Sequence, residues 1–267
     1  MSPLSLKAGM TALKHGMAAL GAKASRASIV LVVFPDELSW QLKHGSKVVK
    51  QGVQAITSPQ AMQQALINAL KQTDASACRV DVRLSSHFMR FAIVGNPDGA
   101  RSQEELALIS RHAFERVHGE IVATWDIRLS YGAIGQSGLA SAVDQALLEK
   151  LKSTLESAGY QLGKVEPTLM QAFNRLAPSG PHGIFALKEA GRLALLAWQQ
   201  CGWVAVQLQP LSTDWQAQVQ DSLARLKLQL GLAEDTPLQI ASLAANELEA
   251  LALPAPRNIG LASQVAA

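Results

Sequence analysis

Residues 28–53 read SIVLVVFPDELSWQLKHGSKVVKQGV. Ile29 to Phe34 is an unbroken β-branched and aromatic run, Pro35-Asp36-Glu37 turns the chain, Leu38 to Leu42 alternates, His44-Gly45 turns it again, and Lys47 to Val53 returns. Such residues fit a pleated, half-buried surface and the turn residues separate them, so the stretch predicts three antiparallel strands. Ser58, with Pro59 at a first helical position, then opens a helix over 60–72 whose one face is Met62, Ala65, Leu66, Ala69 and Leu70. Arg79 to Leu84 alternates as a fourth strand, which completes a β-β-β-α-β unit.

The same order returns at residues 184–208, IFALKEAGRLALLAWQQCGWVAVQL. The turns Glu189-Ala190-Gly191 and Cys201-Gly202 divide it into three strands; a helix from Ser212 to about Leu230 and a strand over Leu238 to Ser242 follow. An internal repeat of one supersecondary order points to a duplicated α/β fold. Between the two copies, His87 to Val94 reads as a strand, and Ser102 with Glu105 is a capping box for a helix with Leu106, Ile109, Ala113 and Val117 inward. Val122 to Leu129 and Leu139 to Val143 read as strands, Asp144 caps a helix ending at Gly159, Tyr160 to Val165 is extended, Pro167 starts another helix, and 174–183 is loop. The resulting division is a basic flexible arm over 1–27, a first half with an inserted subdomain over 28–130, a second half over 131–242, and a flexible tail over 243–267.

Composition narrows the function. The chain has 267 residues, 48% of them hydrophobic, enough for a large core and incompatible with wholesale disorder. A net charge of +3 is too small a field for non-specific nucleic-acid binding. The longest uncharged apolar run, Ile29 to Phe34, has strand length, so no membrane span is expected. Cys78 and Cys201 lie far apart outside any CxxC, which reads as neither a disulfide framework nor a zinc site and fits a reducing cytoplasm.

Catalytic and metal constellations are weak. His112 and His118 share a helix, but six-residue spacing separates them around its axis, and His87 adds no ligand spacing; no metal site is expected. Gly135-Gln136-Ser137-Gly138 lacks nucleophile-elbow spacing, the two cysteines have no positioned base, and Glu104-Glu105 and Glu247 with Glu249 read as solvated helix charge. No catalytic residue is assigned. Trp40, Trp125, Trp198 and Trp203, with Trp215, are core aromatics or the lining of a docking cleft; the first four are taken as candidate partner-binding residues.

The middle of the chain carries a resemblance. LASAVDQALLEKLKSTLESAGYQLGKVEP (139–167), preceded by VDVRLSSHFMRFAIV (80–94) and EELALISRHAFERVHG (104–119), is similar to the type IV pilus assembly protein PilM and its relatives MshI and GspL. With the duplication, this implies two ribonuclease-H-like halves of the actin, heat-shock chaperone and sugar-kinase superfamily. Nucleotide-binding members place Asp-x-Gly in the first turn of each half, where glycine amides approach phosphate and the Asp holds hydrated magnesium. Here those turns are Phe34-Pro35-Asp36-Glu37, with no glycine, and Lys188-Glu189-Ala190-Gly191-Arg192, where Glu189 would repel phosphate unless a metal intervened. The resemblance therefore implies a cytoplasmic, non-catalytic scaffold without cofactor, peripheral at the inner membrane, docking a peptide of a PilN-like partner and, as GspL relatives do, contacting the assembly ATPase. The alternative is a diverged actin-like or sugar-kinase-like ATPase using ATP and magnesium, with Asp36, Glu189 and Gly191 at the nucleotide.

Overall fold

The computed structural model describes residues 27–75, 78–95, 102–130, 136–200, 202–244 and 247–251. The basic arm over 1–26, the end of the tail from 252 and Cys201 lie outside the described residues.

The duplication is realised strand for strand. In the first half β1 (Ala27–Val33), β2 (Glu37–His44) and β3 (Lys47–Ala55) form an antiparallel meander, helix α1 (Met62–Thr73) crosses over, and β4 (Arg79–Leu84) pairs parallel to β1. In the second half β9 (His182–Glu189), β10 (Arg192–Gln199) and β11 (Gly202–Pro210) repeat the meander, α5 (Trp215–Leu230) crosses over, and β12 (Leu238–Ala244) pairs parallel to β9. The fifth strands differ. β8 (Gln161–Pro167) joins the first sheet parallel to β4, giving β3-β2-β1-β4-β8, whereas β13 (Glu247–Leu251) turns straight back antiparallel on β12, giving β11-β10-β9-β12-β13.

Two predicted boundaries move accordingly. Because β8 belongs to the first sheet, the first half continues through residue 167 and the division does not fall at 130. The tail predicted from 243 begins with ordered strand, the end of β12 and all of β13. Between β4 and β8 the chain builds the inserted subdomain from β5 (Met89–Val94), α2 (Gln103–His118), β6 (Trp125–Ser130) and β7 (Gly138–Asp144), then returns through α3 (Gln145–Ser157). Its sheet runs β5-β7-β6 and is antiparallel throughout. The expected Ser102–Glu105 capping box is present, and Ile109 and Ala113 of the predicted stripe pack half-buried on the subdomain core, but the residues α2 buries fully are Ser110 and Phe114, and Val117 is 76% exposed. The Phe114 ring sets the rotation of the helix, and Ser110 tolerates burial because its hydroxyl donates to the Leu106 carbonyl at 2.7 Å. Residues 119–124 form a 3-10 turn, so the strand with Trp125 starts at that residue and not at Val122.

Each half is centred on a tryptophan opposite a glycine. Trp40 on β2 faces Gly52 on β3, and Trp198 on β10 faces Gly183 on β9. A Cβ at Gly52 would lie 2.7 Å from the Trp40 ring, and one at Gly183 2.4 Å from that of Trp198, so only glycine lets the neighbouring backbone lie over each indole. Short helix α4 (Thr168–Leu176) is sandwiched between the halves: Leu169 and Ala172 pack with Val32 of β1 and Phe34 just after it and with Phe185, Leu187 and Trp198 of the second sheet.

Candidate functional sites at the inter-half crevice and the subdomain groove

Two places can carry function, the crevice where the halves meet and a groove beside the subdomain. Ligands of open α/β sheets bind outside the carboxyl ends of parallel strands. In the first sheet those ends are Val33 of β1, Leu84 of β4 and Pro167 of β8. The β1–β2 turn is closed by the Phe34 N–H donating to the Glu37 carbonyl at 2.8 Å. Phe34 is fully buried in the inter-half core while Asp36 is exposed, so the turn presents an aromatic ring where a phosphate loop would present amides.

Glu189 supplies the other side. It ends β9 and its side chain is only 1% exposed, a correction to its expected place beside an open phosphate site. The Ser86 N–H donates to its Oε2 at 2.9 Å, and the Thr168 hydroxyl is hydrogen-bonded to its Oε1. The carboxyl of the second half thus sits among donors of the first. Thr168 also reaches the Leu84 carbonyl at 3.2 Å. A hydroxyl has one proton and a carbonyl only accepts, so when Thr168 donates to Leu84 its bond to Glu189 requires the acid's own proton.

Burial pushes the Glu189 carboxyl above the ordinary range, against the lowering pull of the Thr168 and Ser86 donors and of Arg192. Around it stand His87, hydrogen-bonded through Nδ1 to Ser85 Oγ at 2.9 Å, and Gly191, where a Cβ would lie 3.4 Å from His87 Nε2. Burial and then Arg192 lower the His87 pKa, with Asp36 opposing. His87 thus has Gly191 as a neighbour and Asp36 within electrostatic reach, while Glu189 is engaged in cis.

The pH dependence follows in sign. Between the ordinary glutamate value and the raised folded one, the folded chain keeps a proton the unfolded chain has lost, so this group's stability contribution falls as pH rises through that window. His87 acts oppositely, losing stability as pH falls below about 6.5. Glu189→Gln imitates the neutral acid; in melting curves taken from pH 4 to 8, the variant is expected to gain on wild type as pH rises. A constant difference between the two curves would refute the assignment.

The groove lies between the subdomain and the first half. Trp125, Asp126, Ile127 and Arg128 of β6 line one wall, Leu162, Val165, Glu166 and Pro167 of β8 the other, with Met89, Val143 and Leu148 between, in a volume of about 770 Å³. Both walls are edge strands: among the described residues β6 pairs only with β7, and β8 only with β4. The rim carries Arg111, Glu149 and Lys152. Among these residues only Trp125 was singled out from sequence; the Trp125-Asp126-Ile127-Arg128 alternation signals an edge strand but not what it faces.

The other tryptophans sort by burial. Trp40 and Trp198, 2% and 7% exposed, are core residues, which corrects their assignment to docking. Trp203 is half-buried against Phe173, ring centroids 5.1 Å apart, and Trp215 lies under the Lys188 ammonium at 5.5 Å. Trp125 is half-buried between Phe114 and His118, with centroids 6.0 and 5.0 Å away. His112 is paired with Glu115 at 2.9 Å. No helix among the described residues is long and apolar enough to cross a membrane.

No protein-family model and no curated protein sequence matches the chain. Solved structures do. The cytoplasmic domain of EpsL, an inner membrane component of the type II secretion system of Vibrio cholerae, is 18% identical over 81% of this chain and 82% of its own, with a TM-score of 0.57. A Bacteroides thetaiotaomicron protein with an actin-like ATPase fold is 10% identical over 84% of this chain and 85% of its own, at 0.56. The PilM-PilN type IV pilus biogenesis complex is 14% identical over 77% of this chain and 66% of its own, also at 0.56. At these identities the likeness is one of architecture, and with the paired sheets and parallel β1–β4 and β9–β12 contacts it shows that the chain has the actin-like fold shared by PilM and the EpsL cytoplasmic domain.

Proposed function

We propose that the chain is a non-catalytic cytoplasmic scaffold of a type IV pilus or type II secretion-like assembly, held at the inner membrane by docking a peptide of a PilN-like membrane partner. The observation that carries this reading is the groove with two unpaired strand edges as walls. An extended peptide can add to such an edge through main-chain hydrogen bonds while alternate side chains enter apolar pockets. The six residues of β6 give a wall of about 20 Å at ~3.3 Å per residue. Trp125, Ile127 and Val165 offer apolar contact, and Arg111, Lys152, Glu149 and Glu166 can set register. The fold likeness to a PilM solved together with PilN supports the partner class, and a second contact with the assembly ATPase is part of the proposal.

The ATPase alternative is weakened by Glu189, whose carboxyl is buried and hydrogen-bonded and so is not free to hold hydrated magnesium. Calorimetric titration decides between them. The short cytoplasmic N-terminal peptide of the PilN-like protein of the same cell is expected to bind with micromolar affinity, while Mg-ATP gives neither heat nor phosphate release. Mg-ATP turnover without peptide binding would reverse the assignment.

A further inference from the structure

We infer that the crevice at the carboxyl ends of β1, β4 and β8 is a carboxyl-binding site loaded in cis, with Glu189 of the second half clasped by Ser86 and Thr168 of the first.

The site is built on both sides. The Ser86 N–H follows a strand end pinned by the Ser85 N–H to the Val33 carbonyl at 3.1 Å, so it is held in place by the β1–β4 pairing. Thr168 opens α4, whose N-cap is Pro167, a residue with no side chain to satisfy the first turn. The carboxyl arriving from Glu189 meets that uncapped end. The Ser86 hydroxyl, 1% exposed, borders the same carboxyl and has no partner other than Glu189 among the described residues. One side chain therefore fills the crevice and ties two sheets that share no strand.

The consequence is a closed crevice whose natural occupant is a carboxyl group carried by the protein itself. When Glu189 is shortened, the vacated site keeps the donors to take a small carboxylic acid from solution. Ser86, Thr168 and Glu189 do not line the peptide groove, which adjoins the clasp at Pro167, so carboxylate rescue and peptide binding are read separately.

The test is chemical rescue in the full chain. Glu189→Ala is expected to lower the melting midpoint by about 5 °C or more, given ~2–4 °C per kcal/mol for a chain of this size. Sodium formate or acetate should restore about half of that loss, saturably, in the variant and not in wild type, since a ligand of the folded state alone raises its stability. Sodium chloride at matched ionic strength should not. Equal shifts in both proteins, or none in a folded variant, would overturn the inference. Wild-type protein supplies an independent readout if the variant does not fold. Hydrogen exchange at the Ser86 amide, whose acceptor is the Glu189 carboxyl, is expected to be slowed by at least about 100-fold relative to an unstructured amide. Exchange at the unstructured rate would equally overturn it.

Discussion

Trp198→Ala is expected to destabilise the protein by about 3–5 kcal/mol, the cost typical of truncating a buried aromatic. The ring is 7% exposed, meets Phe173 edge-to-face at 5.4 Å, and lies over Gly183, whose backbone has no side chain to move into the vacancy. Its Nε1 donates to the Gly180 carbonyl at 3.1 Å, which anchors the approach to β9. A cavity at this position also undercuts α4, because Leu169, Ala172 and Phe173 pack on the same cluster as Trp198, Val32 of β1 and Phe34 in the turn after it. The loss should appear as a fall of about 10 °C in the melting midpoint, with cooperative unfolding retained. Trp203→Ala, removing a half-buried ring from the margin of the same cluster, should cost clearly less. Equal small effects from both would mean that Trp198 is a surface residue after all. Peptide binding by the folded Trp198→Ala protein should stay within about twofold of wild type, because the groove walls are β6 and β8 and not β10.

The features that sequence carries well are those set by neighbours along the chain. The run Ile29 to Phe34, the turn residues after it and their echo from Ile184 onward specify two meanders, and the Ser102–Glu105 capping box specifies where α2 starts. Features decided by distant partners are less legible. The residues of β8 read as extended, but nothing local says that they pair with β4 of the first half across a long insertion. Glu247 to Leu251 reads weakly helical and becomes strand because β12 offers a free edge. Trp40 looks like a candidate for docking until Gly52, twelve positions on, is seen to cover it. Glu189 illustrates the same limit at a functional position: a glutamate in this turn reads as a charge beside a phosphate loop, and only the convergence of Ser86 and Thr168, from two other segments, makes its burial tolerable.

Trp125→Ala is expected to weaken docking of the partner peptide by about 30-fold, since a central aromatic anchor commonly contributes ~2 kcal/mol or more. The ring is positioned for that role by contacts on its far side, Phe114 at 6.0 Å and His118 at 5.0 Å, which hold it edge-on while the remainder lines the groove. Because the ring is only half-buried, its removal should lower the melting midpoint far less than Trp198→Ala does, so affinity and stability separate at these two positions. The rim should behave differently from the floor. Arg128 is 82% exposed and paired with Asp126 at 2.9 Å, so Arg128→Glu should alter the association rate and its salt dependence more than the dissociation rate. The main-chain component has its own signature: methylating alternate amides of the peptide removes ladder donors without changing side chains, and one of the two alternating sets should abolish binding while the other is tolerated. Surface plasmon resonance on the two protein variants and the two methylated peptides measures all of these. Tolerance of both methylated sets would exclude strand addition, and an unchanged affinity for Trp125→Ala would place the partner elsewhere on the molecule.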